Sequence, residues 1–325
     1  MRRMAAVVLA VFALAAAAPQ AGAQDYPSRT ITIIVPYPAG GPTDTTAREI
    51  AAGLSMRLKQ NVIVENVTGG GTIVATNKVA KSAPDGYTLL LHNLQITANV
   101  TLYKSLPFDT EKDLTLVMLV NKNPLILVGR NTLEPNNWAE LHALMKKQTL
   151  KAAIPGYGAT GHLTTTLLAQ EAKISLDQIP YRGAAPAMTD LLGGHVDLFI
   201  GTPQSIVPQV LAGKLKAFGV TSKEPPRQLP KVESLVKALG PKFDIIYWQA
   251  LFAPSGTPEP IIKQLNAVLQ AVVTDPALAQ KWENEGFDAF PKDQLTLQAG
   301  RTFVHSEVER WGAVIRDNNI KVSQQ

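Results

Sequence analysis

The chain of 325 residues contains no cysteine. That absence excludes disulfide bonds, thiolate catalysis, cysteine-ligated metals and lipid attachment through a cysteine. The five histidines, at positions 92, 142, 162, 195 and 305, form neither an HExxH motif nor a close ligand pair. We therefore expect no metal and no cofactor.

Motifs of enzyme chemistry are also missing. There is no GxSxG nucleophile elbow, and Gly213-Lys214 is followed by Leu215, which excludes a P-loop. The segment from Gly156 to Gly161 matches GxGxxG, but the acidic candidate, Asp177, precedes the next strand instead of ending it. A dinucleotide enzyme is therefore disfavoured, and an exported hydrolase or lyase is kept as the alternative class.

Clustered positive charge and frequent aromatic residues are lacking too. Lysine and arginine number 31 against 26 aspartate and glutamate residues, and removal of Arg2 and Arg3 leaves 29 − 26 = +3. The excess forms no basic run, and aromatic residues make up 6% of the chain. Nucleic acid is therefore not an expected partner.

An unbroken long apolar run occurs only at the N-terminus. Arg2 and Arg3 precede an apolar stretch from Ala5 to Ala18, and Ala21-Gly22-Ala23 resembles a cleavage site. This pattern predicts a signal peptide over residues 1–23, cleaved near Ala23/Gln24, and a mature protein in the periplasm. The apolar stretch is too short to cross a bilayer stably, and no later segment is long and apolar enough to do so. The alternative is that the N-terminal segment is kept as a membrane anchor.

Strand and helix patterns alternate along the mature chain, which predicts α/β architecture with mostly parallel sheets flanked by helices. The apolar run from Asp113 to Arg130 is broken at Asn121–Pro124, where we expect the chain to cross to a second sheet. It returns near Ile245–Ala253. The predicted lobes are residues 24–122 plus 248–325, and residues 123–247.

The loop Pro36–Asp44 joins a β-branched strand to a helix. Unpaired N–H groups and the positive end of the dipole make a helix N-terminus an anion site. Thr43 or Asp44 is predicted to be the N-cap, with Thr46 and Glu49 resembling a capping box. The same loop is predicted to contact a ligand.

Three further segments follow predicted strands: Thr68–Thr72, His92–Gln95 and Pro155–His162. Ligands of open α/β sheets collect beyond the carboxyl ends of strands, so these loops are candidate binding segments. His162 is either a base or ligand contact, or a first-turn helix residue packed on its loop, and the second interpretation is favoured.

Four other side chains are candidates for ligand contact, and three of them, Arg48, Asp190 and Trp248, also carry a structural interpretation. Arg48 and Arg182 are able to pair with a ligand carboxylate, although a structural or surface salt bridge explains Arg48 equally well. Asp190 faces either a loop backbone or solvent. Trp248 either walls a cleft or, more commonly for a tryptophan in an apolar run, belongs to the core.

Taken together, these segments resemble the Bug family, the extracytoplasmic solute receptors of tripartite tricarboxylate transporters. The motifs that carry the resemblance are Val35–Asp44, Glu65-Asn66, Ala83–Leu90, Leu106–Asp109, Pro180–Gly183, Thr189–Gly194, Trp248 and Ala253–Pro258. They occur in order along nearly the whole mature chain.

The resemblance implies a two-lobed periplasmic binding protein of type II that closes on its ligand like a Venus flytrap. It further implies a monomer without enzymatic activity that passes a small di- or tricarboxylate, such as the aromatic dicarboxylate terephthalate, to a membrane permease. A ligand-sensing module for a sensor kinase is the alternative. His92–Gln95 replaces the small residues usual there, and Gly69–Gly71 replaces a common proline-glycine-alanine run, which makes a simple tricarboxylate less suited.

The ligand-binding residues predicted from the loops and the resemblance come from both lobes. They are Tyr37, Ala39, Gly40, Gly41, Thr43, Asp44, Thr72, His92, Asn93, Gly158, Ala159, Thr160, His162, Arg182, Gly183 and Asp190.

Overall fold

The computed structural model describes residues 26–321. The predicted signal peptide and its cleavage point lie outside this range. The described strands are β1 (Ile31–Val35), β2 (Val62–Asn66), β3 (Thr88–Asn93), β4 (Leu114–Pro124), β5 (Ile126–Arg130), β6 (Leu150–Ile154), β7 (Leu176–Pro180), β8 (Leu198–Gly201), β9 (Leu215–Val220), β10 (Ile246–Pro254) and β11 (Asp288–Ala289).

Helices follow most of these strands. They are α1 (Pro42–Leu58), α2 (Ile73–Ala80), α3 (Gln95–Leu102), α4 (Trp138–Met145), α5 (Thr160–Glu171), α6 (Ala184–Leu192), α7 (Pro203–Leu211), α8 (Leu235–Leu239), α9 (Glu259–Val273), α10 (Pro276–Glu285) and α11 (Leu297–Asp317). Helix α3 was not predicted. The predicted third strand continues past Leu91, so His92 and Asn93 lie on β3 itself.

The strands form two sheets, in the orders β11-β4-β10-β3-β1-β2 and β7-β6-β8-β5-β9. The predicted α/β architecture with two sheets is confirmed. The sheets are mixed, however, and not mostly parallel: only β2-β1-β3 and β7-β6-β8 are parallel. Strands β4 and β5 lead the chain from the first sheet to the second, and β9 and β10 flank its return. Because these strands are joined by crossings between sheets and not by helical βαβ connections, they pair antiparallel with their neighbours.

Hydrogen bonds join the two crossing segments between the sheets. The fully buried Thr221 follows β9, and its hydroxyl accepts from the N–H of Leu125 (2.8 Å) and donates to the carbonyl of Ile245 (2.6 Å). Its own N–H donates to the Leu125 carbonyl (2.9 Å). One threonine therefore ties the outgoing segment to the returning one.

Helix α11 holds β10 in place from behind. Trp248 is fully buried, which confirms its interpretation as a core residue, and its indole N–H donates to the Glu307 carboxylate at 2.8 Å. The indole of Trp311 donates to the same oxygen at 3.3 Å, and Glu307 is 5% exposed. Between residues 26 and 321, none of the helices has the length and hydropathy that a bilayer crossing requires.

Replacing Glu307 is expected to destabilise the fold by leaving two buried indole N–H groups without an acceptor. We expect Glu307→Met to lower the free energy of unfolding by about 2–4 kcal/mol, measured by urea denaturation. Glu307→Gln keeps an acceptor oxygen and should lose clearly less. Equal losses in the two variants would contradict the assigned role of these hydrogen bonds.

Candidate functional site

A cleft of about 660 Å³, its open mouth included, lies between the two sheets. The carboxyl ends of β1, β3, β6, β7 and β8 all reach it. Its lining residues are Tyr37, Pro38, Ala39, Gly41, Pro42, Thr43, Asn93, Leu125, Pro155, Ala159, Thr160, Gly161, Gly183, Ala184, Ala185, Pro186, Phe199, Ile200, Gly201, Thr202 and Tyr247.

Four helices begin at this cleft. Helix α1 reaches it from the first sheet, and α5, α6 and α7 reach it from the second, with their N-cap residues Gly41, Ala159, Gly183 and Thr202 among the lining residues. The first N–H groups of an α-helix have no partner within the helix, and each N-terminus is equivalent to about half a positive charge. The cleft is therefore electropositive.

No side chain caps these four helix ends. Elsewhere in the described chain, Asn137, Asp275 and Thr296 cap α4, α10 and α11 by accepting from first-turn N–H groups, whereas α2, α3, α8 and α9 also lack a side-chain cap. None of the three capping residues lines the cleft. The cleft helices consequently keep their terminal donors available to a ligand.

The lining residues include no lysine, arginine, histidine, aspartate or glutamate. An anion bound here is therefore held by backbone N–H groups, hydroxyls and helix dipoles and not by an ion pair. Leu125, Phe199 and Ile200 add an apolar surface. The lining suits a small molecule with anionic ends and an apolar body.

The side of the cleft formed by the second sheet and its helices is the second wall. Two buried hydroxyls on it add to the available donors. Thr160 and Thr202 are each 4% exposed and line the cleft. Their hydroxyl oxygens have no hydrogen-bond partner within residues 26–321. Because a buried polar group without a partner is costly, these hydroxyls indicate a site that a polar ligand or water completes.

The opposite side of the cleft, formed by the first sheet and α1, is the first wall. A network of hydroxyl and amide groups forms it. The Tyr37 hydroxyl donates to Asn93 Oδ1 at 2.8 Å, and Asn93 Nδ2 donates to the Tyr247 hydroxyl at 3.1 Å. The hydroxyls of Thr43 and Tyr247 lie 2.9 Å apart. Burial raises the pKa of Tyr247 to about 12 and raises that of Tyr37 well above its usual value, so both phenols stay protonated at neutral pH.

Asp44 shapes the loop after β1. Its Oδ2 accepts from the Gly40 N–H (2.9 Å) and from Arg48 Nε (3.0 Å), and its Oδ1 accepts from Asn66 (3.0 Å). Burial alone raises the pKa of Asp44, but the hydrogen bonds from Arg48, Gly40 and Asn66 outweigh it, and the pKa lies below its ordinary value. Arg48 is thus a structural salt-bridge partner.

The predicted N-cap is wrong. Helix α1 begins one residue earlier than Thr43, with Gly41 as an N-cap that has no side-chain hydrogen bond, and Pro42 as its first residue. Proline suits the first helical position because no N–H is needed there, which draws the helix start forward. Thr43 and Asp44 lie in the first turn, and the predicted capping box with Thr46 and Glu49 does not form.

Half of the predicted ligand-binding residues line the cleft, and half do not. The lining group is Tyr37, Ala39, Gly41, Thr43, Asn93, Ala159, Thr160 and Gly183. The group outside it is Gly40, Asp44, Thr72, His92, Gly158, His162, Arg182 and Asp190.

Thr72 and His92 are buried outside the cleft lining, and His92 packs behind Tyr37 of the first wall. Thr72 is buried with φ of 82°, and its hydroxyl accepts from Asn99 Nδ2 at 3.0 Å. His92 is fully buried, its Nδ1 accepts from the Asn93 N–H at 2.8 Å, and its ring meets that of Tyr37 edge-on with centroids 5.7 Å apart. Burial lowers the pKa of His92 to about 3.

On the second lobe, His162 packs on its own loop. It lies in the first turn of α5, and its Nδ1 accepts from the Gly158 N–H at 3.1 Å, which confirms the favoured interpretation. Burial lowers its pKa to about 4, so the ring is a neutral acceptor. Asp190 accepts from the Tyr181 hydroxyl at 2.6 Å. The two alternatives predicted from the sequence, a loop backbone and solvent, do not include this side-chain partner. Arg182 is exposed.

Sequence reasoning missed several lining residues, and some carried a usable signal. Leu125 and Tyr247 lie on the two predicted crossing segments, which necessarily pass between the sheets. Thr202-Pro203 follows a predicted strand and is a common helix start. Phe199 and Ile200 carried no such signal, because their apolar side chains fit an ordinary buried strand. Residues 26–321 contain no cluster of three or more acidic or histidine side chains suited to a metal.

Comparisons with known proteins agree in one family. The sequence model of the tripartite tricarboxylate transporter family receptor, TctC, matches residues 46–320. A UPF0065 protein from the ttuE-ttuC' intergenic region of Agrobacterium vitis is 37% identical over 300 residues, covering 91% of this chain and 87% of that protein. Protein BugT of Bordetella pertussis is 33% identical over 326 residues, with 99% of each chain covered.

Solved structures show the same architecture. The periplasmic binding protein BugD superposes with a TM-score of 0.87 at 32% identity, covering 91% of this chain and 99% of that one. MatC from Rhodopseudomonas palustris, solved with bound malate, has a TM-score of 0.83 at 32% identity, with coverage of 89% and 100%. A second R. palustris protein, solved with adipate, has a TM-score of 0.86 at 29% identity, with coverage of 91% and 99%.

Asp44 is expected to make stability depend on pH. Because its folded-state pKa is lowered, its carboxylate stabilises the fold above the unfolded pKa of about 4, and this contribution is lost as the pH falls through the folded pKa. Asp44→Asn should lower the free energy of unfolding by on the order of 1–3 kcal/mol at pH 7. Urea denaturation should show the difference from wild type shrinking toward pH 2.

The matched control for this prediction is Glu259→Gln, which removes an exposed ion pair with Lys263. It should leave the unfolding free energy nearly unchanged. A pH-independent difference between wild type and Asp44→Asn would mean that the carboxylate charge does not matter at this site.

Proposed function

The chain belongs to the tripartite tricarboxylate transporter receptor family, and we propose that it captures a small dicarboxylate in the periplasm and delivers it to a tripartite tricarboxylate transporter permease. The family is one of periplasmic solute-binding receptors and not of enzymes. The observation that carries the proposal is the meeting of four uncapped helix N-termini on one cleft whose lining lacks charged side chains.

Charge supports two carboxylates over three. Four helix ends, each equivalent to about half a positive charge, together offset about two negative charges. A third carboxylate would have no cationic side chain among the lining residues to compensate it. Two structurally similar proteins were solved with the dicarboxylates malate and adipate. Apolar side chains such as Phe199 provide contact for an aliphatic or aromatic body.

Binding is coupled to the approach of the two lobes in this proposal. Helix α1 presents its donors from the first sheet, whereas α5, α6 and α7 present theirs from the second. A ligand that touches both sets stabilises the arrangement in which they face each other. The lobe bounds inferred from the sequence, residues 24–122 plus 248–325 and residues 123–247, remain part of this proposal, and their two crossing points lie close to Leu125 and Tyr247.

A thermal-shift screen of the mature protein tests the proposed function. Malate, adipate, terephthalate and citrate serve as probes, and glutamine serves as a neutral comparison. A dicarboxylate at a hundred times its dissociation constant should add about 2.7 kcal/mol of stability, which gives a shift of several degrees. Absence of a shift with every acid, or chemical conversion of the added acid, would contradict a receptor function.

Gly183 tests the coupling between closure and binding. Its φ is 123°, and a Cβ placed there lies 3.2 Å from Pro38 Cγ across the cleft mouth. Gly183→Ala should therefore penalise the approach of the lobes. A penalty of about 1 kcal/mol on the closed form weakens affinity about fivefold, measurable by calorimetric titration with the dicarboxylate that gives the largest thermal shift.

Gly240→Ala is the matched control for the strain of a positive φ. Gly240 has φ of 96°, and a Cβ there meets nothing within 4 Å. Both variants should lose stability, but only Gly183→Ala should lose affinity. An equal loss of affinity in both would place the effect in general destabilisation and not in closure.

A further inference from the structure

The orientation of the Asn93 amide is fixed by a backbone group. The N–H of Gln95 donates to Asn93 Oδ1 at 2.9 Å, and the Tyr37 hydroxyl donates to the same atom at 2.8 Å. A backbone N–H is only a donor, so the atom that it meets is the carbonyl oxygen. The Asn93 NH₂ group therefore points the other way, toward Tyr247.

This amide starts a directed chain of hydrogen bonds. Asn93 Nδ2 donates to the Tyr247 oxygen at 3.1 Å and makes a longer contact of 3.5 Å with Thr43 Oγ1. The Tyr247 and Thr43 hydroxyls are 2.9 Å apart. A phenol is far more acidic than an aliphatic alcohol and is the better donor of the two, so Tyr247, already an acceptor from Asn93, donates to Thr43.

The hydrogen of the Thr43 hydroxyl then has no acceptor in the wall. Within residues 26–321, the hydrogen bonds of Thr43 Oγ1 go to Tyr247 and Asn93 alone. The neighbouring Thr45 hydroxyl donates to the backbone carbonyl of Gly41, four residues earlier, at 3.2 Å. Thr43 makes no such hydrogen bond to a backbone carbonyl. Thr43 lies in the first turn of α1 and lines the cleft, beside the free N–H groups of that helix.

We propose that Tyr247 and Asn93 are positioning residues that direct the Thr43 hydroxyl, as a donor, at a carboxylate oxygen of the ligand. This inference rests on the proposed function and adds Tyr247 as a determinant of affinity. Tyr247 belongs to β10, the strand that returns from the second sheet, and lies two residues after Ile245, which Thr221 ties to the outgoing crossing segment. The donor is therefore held by the same segment that connects the lobes.

Calorimetric titration with malate and with adipate tests the proposal at pH 7. The variants are Thr43→Val, Thr43→Ser, Tyr247→Phe and the double variant Thr43→Val/Tyr247→Phe. Tyr26→Phe is the matched control, because the Tyr26 hydroxyl donates to the Gly86 carbonyl at 2.7 Å outside the cleft lining. Thermal unfolding of each free variant monitors stability separately.

Thr43→Val should weaken binding about tenfold or more, the usual effect of losing a hydrogen bond to a charged group. Thr43→Ser should restore near-wild-type affinity, and Tyr247→Phe should weaken binding several-fold. The double variant should bind about as weakly as Thr43→Val, because both hydroxyls act through one donor. Tyr26→Phe should bind like wild type whatever its stability.

Two results would overturn the inference: wild-type affinity in Tyr247→Phe, or losses for Thr43 and Tyr247 that multiply in the double variant. If wild type binds neither malate nor adipate but shifts with terephthalate, the same variants are titrated with terephthalate. If wild type binds none of the three dicarboxylates, the proposed function fails before any variant is compared. The direction of the chain is also measurable without ligand. A slowly exchanging Tyr247 hydroxyl proton should appear by NMR, shift in Thr43→Val and vanish in Tyr247→Phe, and a freely exchanging proton would contradict the assigned direction.

Discussion

In the proposed function, holding an anion without a cation is the constraint on which the rest of the structure depends. A lysine or arginine supplies charge from a flexible side chain, whereas a backbone N–H supplies a fraction of a charge in a fixed direction. Several N–H groups must therefore be aimed at one point. The fold meets this condition because the carboxyl ends of β1, β6, β7 and β8 each precede a helix that starts at the cleft. No side chain caps any of these four helix starts, so their first N–H groups stay available at the cleft.

The elements that depend on local sequence signals were predictable. The β-branched run before Pro36 and the glycine- and proline-rich loop after it identify a strand, a loop and a helix start, and the break at Asn121–Pro124 identifies the crossing between sheets. The predicted resemblance to the Bug family is confirmed by the match to the receptor family. The resemblance therefore predicted the two-lobed fold and several of the loops that line the cleft.

Other features depend on which groups meet in three dimensions, and one sequence does not contain them. Thr43 and Asp44 are adjacent and equally suited to capping, yet one faces the cleft and the other turns back to Gly40 and Arg48. The strand directions of β5 and β10 follow from chain crossings and not from residue patterns. The sequence pattern indicates only that Tyr247 belongs to an apolar strand. Its hydrogen-bond partners, Asn93 and Thr43, are 154 and 204 positions away. Its role depends on a pairing that periodicity does not encode.

The polar groups of the first wall link ligand contact to lobe geometry. Apolar contacts are not directional, whereas the hydrogen bonds that join Asn93 with Tyr247 and Tyr247 with Thr43 require β3, β10 and α1 to lie in one register. Strand β10 is at the same time anchored to α11 through Trp248 and Glu307. Since Thr221 joins the two crossing segments next to this strand, the proposed closure pivots around a point that is fixed to the first wall. In the proposed closure, the first wall stays preformed and the second wall supplies the donors that arrive. The preference of a ligand for the closed arrangement consequently comes from its contacts with α5, α6 and α7.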